Sequence, residues 1–182
     1  MQNDPPNEFY EPFLKFRITK PDAWEFTEPR WSPMVQLRNG ATAAHEWLRW
    51  AAEPFVCAMK PHDSDGQAYP TLQVSARMTN GLPPPQMRRD LLEEQLILLR
   101  ATFREFELLE STTDRIVAGF RANAIRATAV HTTDRDFQIL TRLFTLFTPT
   151  VAFTIGMSSS ADPRYYDEAE FDAMLESVRI GE

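Results

Sequence analysis

The sequence predicts an α+β fold in which a central antiparallel sheet is flanked by two helices. Three segments that alternate with a period of two follow one another at residues 122–131, 137–147 and 150–157, and this alternation is typical of half-buried strands. The links between them are so short that neighbouring strands must run antiparallel. Residues 85–103 and 165–178 instead carry apolar side chains at helical spacing. Helices of this kind should cover the faces of the sheet, which predicts an α/β/α sandwich.

Shorter strands are expected before and between these elements. Residues 14–19 place Leu14, Phe16 and Ile18 on one face, and residues 71–79 alternate in the same way. Two further strand candidates are residues 55–59 and 107–110.

The chain has the length of one domain. Its 182 residues include 43% hydrophobic and 12% aromatic residues, which is typical of a globular protein with a sizeable core. Residues 1–12 are polar and rich in proline, which predicts a flexible arm. Residues 13–182 form the predicted single domain, with an insertion at about 27–53. Within that insertion the Ala-rich residues 41–52 suit a helix.

The charge is unevenly distributed. The formal net charge is −7, and residues 162–182 alone hold seven acidic and two basic residues. An acidic helix face of this kind is solvated or docks a basic partner. A phosphate-binding basic stripe is absent from the sequence, so we expect no nucleic-acid partner.

The single cysteine and the N-terminal residues bear on location. Cys57 lies in an apolar run and is expected to be a buried, unreactive thiol. The first residues lack the basic and apolar regions of a secretory signal. No apolar stretch is long enough to span a bilayer. We therefore expect a soluble, cytoplasmic protein that does not span a membrane.

Two segments carry a family resemblance. The element Pro21-Asp22-Ala23-Trp24 after the first strand, and the closing helix with Phe171, Leu175 and Val178, resemble the PsbP-like superfamily. That superfamily includes the photosystem protein PsbP, the yeast Ran-binding nuclear-import factor and bacterial DcrB-like proteins. The resemblance covers roughly residues 13–180 and implies an α/β/α sandwich.

The resemblance also implies a non-enzymatic role, because known members mainly bind proteins or ions. Some bacterial members chaperone membrane-inserting segments of secreted effectors. This sequence departs from the pattern, since it lacks a lipoprotein cysteine and has the 27–53 insertion. No functional residue is carried over from the superfamily.

A polar set on the predicted sheet is the first candidate site. If Gln73, Ser75 and Arg77 share a face with the residues of two later strands, three arginines converge there. The later residues are Arg126, Thr128 and Arg142. Guanidinium and hydroxyl groups on one face could hold a carboxylate or a phosphate. The alternative is that this face is solvated or pairs with acids of the terminal helix.

A tryptophan cluster in the insertion is the second candidate. Trp31, Trp47 and Trp50 could form an exposed patch for a partner, because tryptophan is enriched at binding hot spots. The alternative is that these side chains fill the core.

Neither a metal nor a cofactor is predicted. The sequence His62-Asp63-Ser64-Asp65-Gly66 resembles the start of a calcium loop but lacks its closing acid, which favours an ordinary polar turn. No catalytic or nucleotide-binding motif occurs, although a catalytic site assembled across the fold stays open.

We therefore expect a non-enzymatic accessory or chaperone-like module that binds another protein. The alternative is a carrier or enzyme that uses the arginine face for a small anionic ligand. A purely structural subunit that forms a homo-oligomer is a third interpretation.

Overall fold

The computed structural model describes residues 7–27, 54–61, 68–132, 136–166 and 168–181. Within these ranges the chain has two antiparallel sheets and two α-helices, which confirms the α+β class. The strands are β1 (Glu8–Glu11), β2 (Phe16–Thr19), β3 (Glu25–Thr27), β4 (Val56–Met59), β5 (Thr71–Met78), β6 (Arg104–Val117), β7 (Phe120–Thr132), β8 (Asp136–Phe147), β9 (Val151–Ser160) and β10 (Arg179–Ile180). The helices are α1 (Pro85–Thr102) and α2 (Glu168–Ser177). Neither helix is long and apolar enough to cross a membrane.

The larger sheet has seven strands in the order β3-β4-β5-β9-β8-β7-β6. Its centre is the predicted run of consecutive antiparallel strands, β7, β8 and β9. The strand β5 adds on the other side of β9 through eight register pairs, from Thr71 with Ser158 to Met78 with Val151.

The edge strand β6 is much longer than the predicted strand at residues 107–110. It has 14 residues and forms a hairpin with β7. The turn places Ala118 and Gly119 at positive φ, 49° and 81°, and a glycine tolerates that backbone geometry without strain. Since β6 is an exposed edge with three register shifts, it lacks the clean alternation that would have revealed its length.

Helix α1 covers one face of the large sheet, which we call the α1 face. Leu92 and Leu99 pack there against Ile125 and Ala127 of β7. The predicted apolar stripe began at Met87, but that side chain is 51% exposed. Arg88 is buried in its place and donates a hydrogen bond to the Thr113 carbonyl, 3.3 Å away.

The opposite face, which we call the core face, carries the main hydrophobic core. A three-stranded sheet in the order β1-β2-β10 packs on it together with α2. The rings of Phe16 in β2 and Phe153 in β9 are 5.3 Å apart. Phe171, Met174 and Leu175 of α2 are buried in the same core. The predicted sandwich of helix, sheet and helix did not include this second sheet.

The small sheet joins the two ends of the chain. Residues 1–12 were predicted to be a flexible arm, which is wrong for Glu8–Glu11, because β1 pairs along its whole length with β2. Its Phe9 packs against the rings of Phe26 and Phe55 at 5.9 and 6.1 Å. After α2 the chain continues as β10, which pairs with the other edge of β2. The strand β1 has only four residues and is preceded by polar, Pro-rich residues, so the sequence shows no clear alternation there.

Several predictions lie outside the described residues. These are the helix at 41–52, the tryptophan cluster of Trp31, Trp47 and Trp50, and the loop from His62 to Gly66.

Candidate functional site

Two arginines lie side by side on the core face of the large sheet. Arg126 of β7 is the register partner of Arg142 of β8, and Arg142 is the partner of Met157 on β9. Because Met157 belongs to the main core, both arginines point to the side that α2 covers. Thr128 is two residues from Arg126 and therefore lies on the same face, opposite Leu140.

The remaining predicted residues lie on the α1 face. Gln73 is the register partner of Gly156, and Gly156 is the partner of Leu143, which packs in the α1 cluster. Ser75 and Arg77 follow Gln73 at steps of two and share its face.

The structure therefore splits the predicted six-residue set. Arg126, Thr128 and Arg142 come together, whereas Gln73, Ser75 and Arg77 are on the other side of the sheet. A shift of one residue in strand register moves a side chain to the other face. Alternation along one strand does not reveal the register between β5 and β9, so the sequence could not decide this point.

Two acids of α2 pair with the two arginines. Arg126 Nη2 is 2.8 Å from Glu168 Oε1, and Arg142 Nη2 is 2.6 Å from Asp172 Oδ1. The acids are four residues apart, so they lie on one side of the helix. Like charges directly opposite each other destabilise a sheet, and these carboxylates offset that repulsion. In the structure, Arg126 and Arg142 pair with acids of the terminal helix. This pairing is the alternative interpretation of the arginine face.

Both ion pairs leave hydrogen-bond donors unused. Arg126 Nε and Arg142 Nη1 are buried and have no hydrogen-bond partner. Arg142 is only 9% exposed, and its guanidinium carbon is 5.5 Å from the centre of the Phe144 ring. The acids lie further out, since the Glu168 and Asp172 side chains are 46% and 50% exposed. The cluster thus combines buried donor atoms with half-exposed carboxylates.

Tyr166 adds a third polar group to this cluster. Its hydroxyl is buried and makes no hydrogen bond of ordinary geometry, although Glu168 and Arg126 both lie close enough to shift its pKa through weaker polar contacts. Burial first, and then the neighbouring Glu168 carboxylate, raise the pKa of Tyr166 well above its usual range. Burial lowers the pKa of Arg126, but the Glu168 carboxylate and the Tyr166 hydroxyl together outweigh burial, so the pKa of Arg126 is raised. At neutral pH the phenol is therefore neutral and the guanidinium is charged.

Sequence reasoning identified the arginines but missed Tyr166 as part of the site. Glu168 and Asp172 entered only as members of an acidic helix. Their spacing of four residues was the available signal, because it predicts two carboxylates on one side of α2. No comparable signal pointed to Tyr166, which precedes the helix.

A second polar contact joins the segments that carried the family resemblance. Trp24 is 1% exposed, and its Nε1 donates to Glu170 Oε2 at 2.8 Å. Lys60 Nζ is also 2.8 Å from that oxygen. The Trp24 ring meets Phe171 edge-on, with the centroids 5.6 Å apart. This contact fixes the turn after β2 against α2 on the core face.

Three large apolar side chains are exposed along residues 78–87, and we call them the apolar rim. Met78 ends β5 and is 62% exposed, Leu82 lies in the following loop at 60%, and Met87 is in the first turn of α1 at 51%. Two backbone hydrogen bonds hold the loop to the β8–β9 turn. Thr79 N donates to Thr150 O at 2.8 Å, and Gly81 N donates to Pro149 O at 2.9 Å.

The described residues contain no group of three or more His, Cys, Asp or Glu side chains that could hold a metal ion. Cys57 is buried, and burial raises its pKa to about 11. The thiol is therefore protonated at neutral pH and is a poor nucleophile, as the sequence predicted.

Solved structures with a similar fold include the following three proteins. LpqN of Mycobacterium tuberculosis, involved in cell envelope biogenesis, aligns with a TM-score of 0.56 at 10% identity, over 100% of this chain and 88% of LpqN. PsbP (CyanoP) of the cyanobacterium Synechocystis aligns with a TM-score of 0.54 at 10% identity, over 100% of this chain and 96% of PsbP. A Bacteroides thetaiotaomicron protein aligns at 0.53 and 11%, over 97% of this chain and 48% of that protein.

These similarities support a PsbP-like fold and nothing finer, because the sequence identities are low. The chain spans about half the length of the Bacteroides protein. No protein-family model matches the chain, and no curated protein matches its sequence.

Proposed function

We propose that this chain is a non-enzymatic accessory or chaperone-like module of the PsbP-like superfamily, an α/β/α sandwich that binds another protein in the cytoplasm. The observation that carries the proposal is the apolar rim of Met78, Leu82 and Met87. Each of these side chains exposes more than half of its surface. The three side chains lie within ten residues of one another along the chain, and an exposed apolar patch marks a site of protein association.

The loop that carries the rim is suited to binding. Leu82 is followed by three consecutive prolines, whose fixed φ leaves little backbone freedom to lose. The hydrogen bonds of Thr79 and Gly81 hold the loop to the neighbouring turn. A surface ordered before binding loses less entropy when a partner arrives. The partner is therefore expected to present an apolar surface of its own.

The rim is tested by co-purification from the cell that makes the protein. The test variant is Leu82→Glu, which puts a charge at the middle of the rim. The matched control is Phe13→Glu, because Phe13 is also exposed, at 82%, but lies in the β1–β2 turn. Both changes leave the core untouched, so equal melting temperatures would show that folding is preserved.

The expected result is one partner recovered in equal amounts by the parent protein and Phe13→Glu. Recovery by Leu82→Glu should fall at least about tenfold, as for truncation of a hot-spot side chain. Equal recovery with all three proteins would overturn the rim as the binding surface. A parent protein that only self-associates, and becomes monomeric in Leu82→Glu, would favour the structural homo-oligomer instead.

A further inference from the structure

The Arg126–Arg142 cluster has donors that its own acids do not satisfy. Each guanidinium gives a single Nη2 to its carboxylate, whereas a guanidinium can present two parallel N–H groups to one acceptor. Arg126 Nε and Arg142 Nη1 are left buried without an acceptor, and so is the hydroxyl of Tyr166. Buried donors without partners are rare in native proteins and destabilise them.

The geometry points to a site for a small oxyanion, a carboxylate or a phosphate, held by Arg126 Nε, Arg142 Nη1 and the Tyr166 hydroxyl. The arginines are register partners on neighbouring strands, so their guanidinium groups project from adjacent positions of one face. All three groups can donate a hydrogen bond, and an oxyanion is an acceptor with several lone pairs. This inference is independent of the apolar rim and goes beyond protein binding.

The acids of α2 set the affinity of this site. Glu168 and Asp172 neutralise the two guanidinium charges, so an incoming anion gains only from the unused donors. Both acid side chains are about half exposed, whereas the side chains of Arg126 and Arg142 are 37% and 11% exposed. The anion reaches the donors when a carboxylate turns outward into solvent. Removing one carboxylate should therefore strengthen anion binding. If the ion pairs only supported the fold, the same change would lower the stability of the protein and would not strengthen anion binding.

The test measures the free energy of unfolding in urea with and without an added anion. The probes are inorganic phosphate and sodium acetate, each compared with sodium chloride at matched ionic strength. A ligand that binds only the folded state raises the free energy of unfolding. Once the ligand concentration exceeds Kd, this increase grows with the logarithm of the concentration. Phosphate and acetate used separately distinguish a phosphate site from a carboxylate site.

Three variants make the test specific. Glu168→Gln leaves an uncompensated arginine and is expected to lower Kd at least about tenfold. Tyr166→Phe removes only the hydroxyl and should raise Kd. Arg126→Gln should abolish the anion-dependent stabilisation. The control is Arg121→Gln, which changes an exposed arginine of the same strand that pairs with Asp114 at 2.7 Å, and it should bind as the parent protein does.

Stabilisation by phosphate or acetate beyond chloride, strengthened in Glu168→Gln and lost in Arg126→Gln, supports the site. If neither anion stabilises the parent protein or Glu168→Gln beyond chloride, the donors are satisfied by water and the inference is wrong. Equal stabilisation of Arg126→Gln would also overturn it, because the anion would then bind elsewhere. If Arg126→Gln fails to fold, Tyr166→Phe still tests the site, because it removes a donor without removing a charge. An unchanged Kd for the anion in Tyr166→Phe would then contradict the inference.

Discussion

Replacing Glu170 by alanine removes the acceptor that joins Trp24 to α2. In the native protein Trp24 Nε1 is 2.8 Å from Glu170 Oε2, and the indole is 1% exposed. The variant leaves a buried N–H without a partner, which costs about 1–3 kcal/mol. The lost ion pair with Lys60 is partly exposed and adds no more than about 1 kcal/mol. We expect the free energy of unfolding to fall by about 1–4 kcal/mol in total.

Urea denaturation monitored by tryptophan fluorescence measures this change directly. The matched control is Glu176→Ala, because Glu176 is an exposed glutamate of the same helix. That control should change the free energy of unfolding by no more than about 0.5 kcal/mol.

Lys60→Ala separates the two contributions of Glu170. It removes the ion pair but leaves the indole hydrogen bond, so its effect should stay below about 1 kcal/mol. If Glu170→Ala is no more destabilising than Lys60→Ala, the buried Trp24 contact does not hold α2 on the core face. The reasoning about how the chain ends meet would then be wrong.

Three further predictions address the core and the titrating groups. Phe153→Ala should lower the free energy of unfolding by about 3–5 kcal/mol, because Phe153 is fully buried against Phe16. A decrease below about 1 kcal/mol in urea denaturation would contradict the shared core. Burial raises the pKa of Cys57 to about 11, so the folded state keeps a proton that the unfolded chain releases. The free energy of unfolding should therefore fall as the pH rises toward that value. In Cys57→Ser this pH-dependent loss of stability should disappear. Hydrogen bonds from Arg164 lower the pKa of Asp162 to about 2, and the stability from this carboxylate is lost as pH falls through that value. An NMR titration of Arg164→Ala should return the midpoint toward the ordinary 3.8, and an unchanged midpoint would contradict the pairing.

The sequence predicted the elements whose evidence is local. The strands β7, β8 and β9 alternate over ten or more residues and have short links, so both their existence and their antiparallel order followed from the pattern. Helix α1 was predicted within one residue of its observed range, Pro85–Thr102. Its apolar stripe was less well predicted, because Arg88 replaces Met87 at the buried position.

Features that depend on distant pairing could not be read from the sequence. The small sheet is built from strands of two to four residues, and it pairs β2 with β10 from the other end of the chain. The split of the arginine set has the same origin, since the register of Gln73 with Gly156 is a tertiary property. The sequence predicted that the arginine face is solvated or pairs with acids of the terminal helix, but it did not single out Glu168 as the partner of Arg126, because that pairing requires the position of α2 over the sheet.

Site-specific photocrosslinking in living cells tests the proposed protein-binding role most directly. A photoreactive phenylalanine analogue placed at position 82 should give an adduct with one other protein, identified by mass spectrometry. The same analogue at position 13, in the exposed β1–β2 turn, should not give that adduct. No adduct at position 82, or equal adducts at both positions, would contradict a partner seated on the apolar rim.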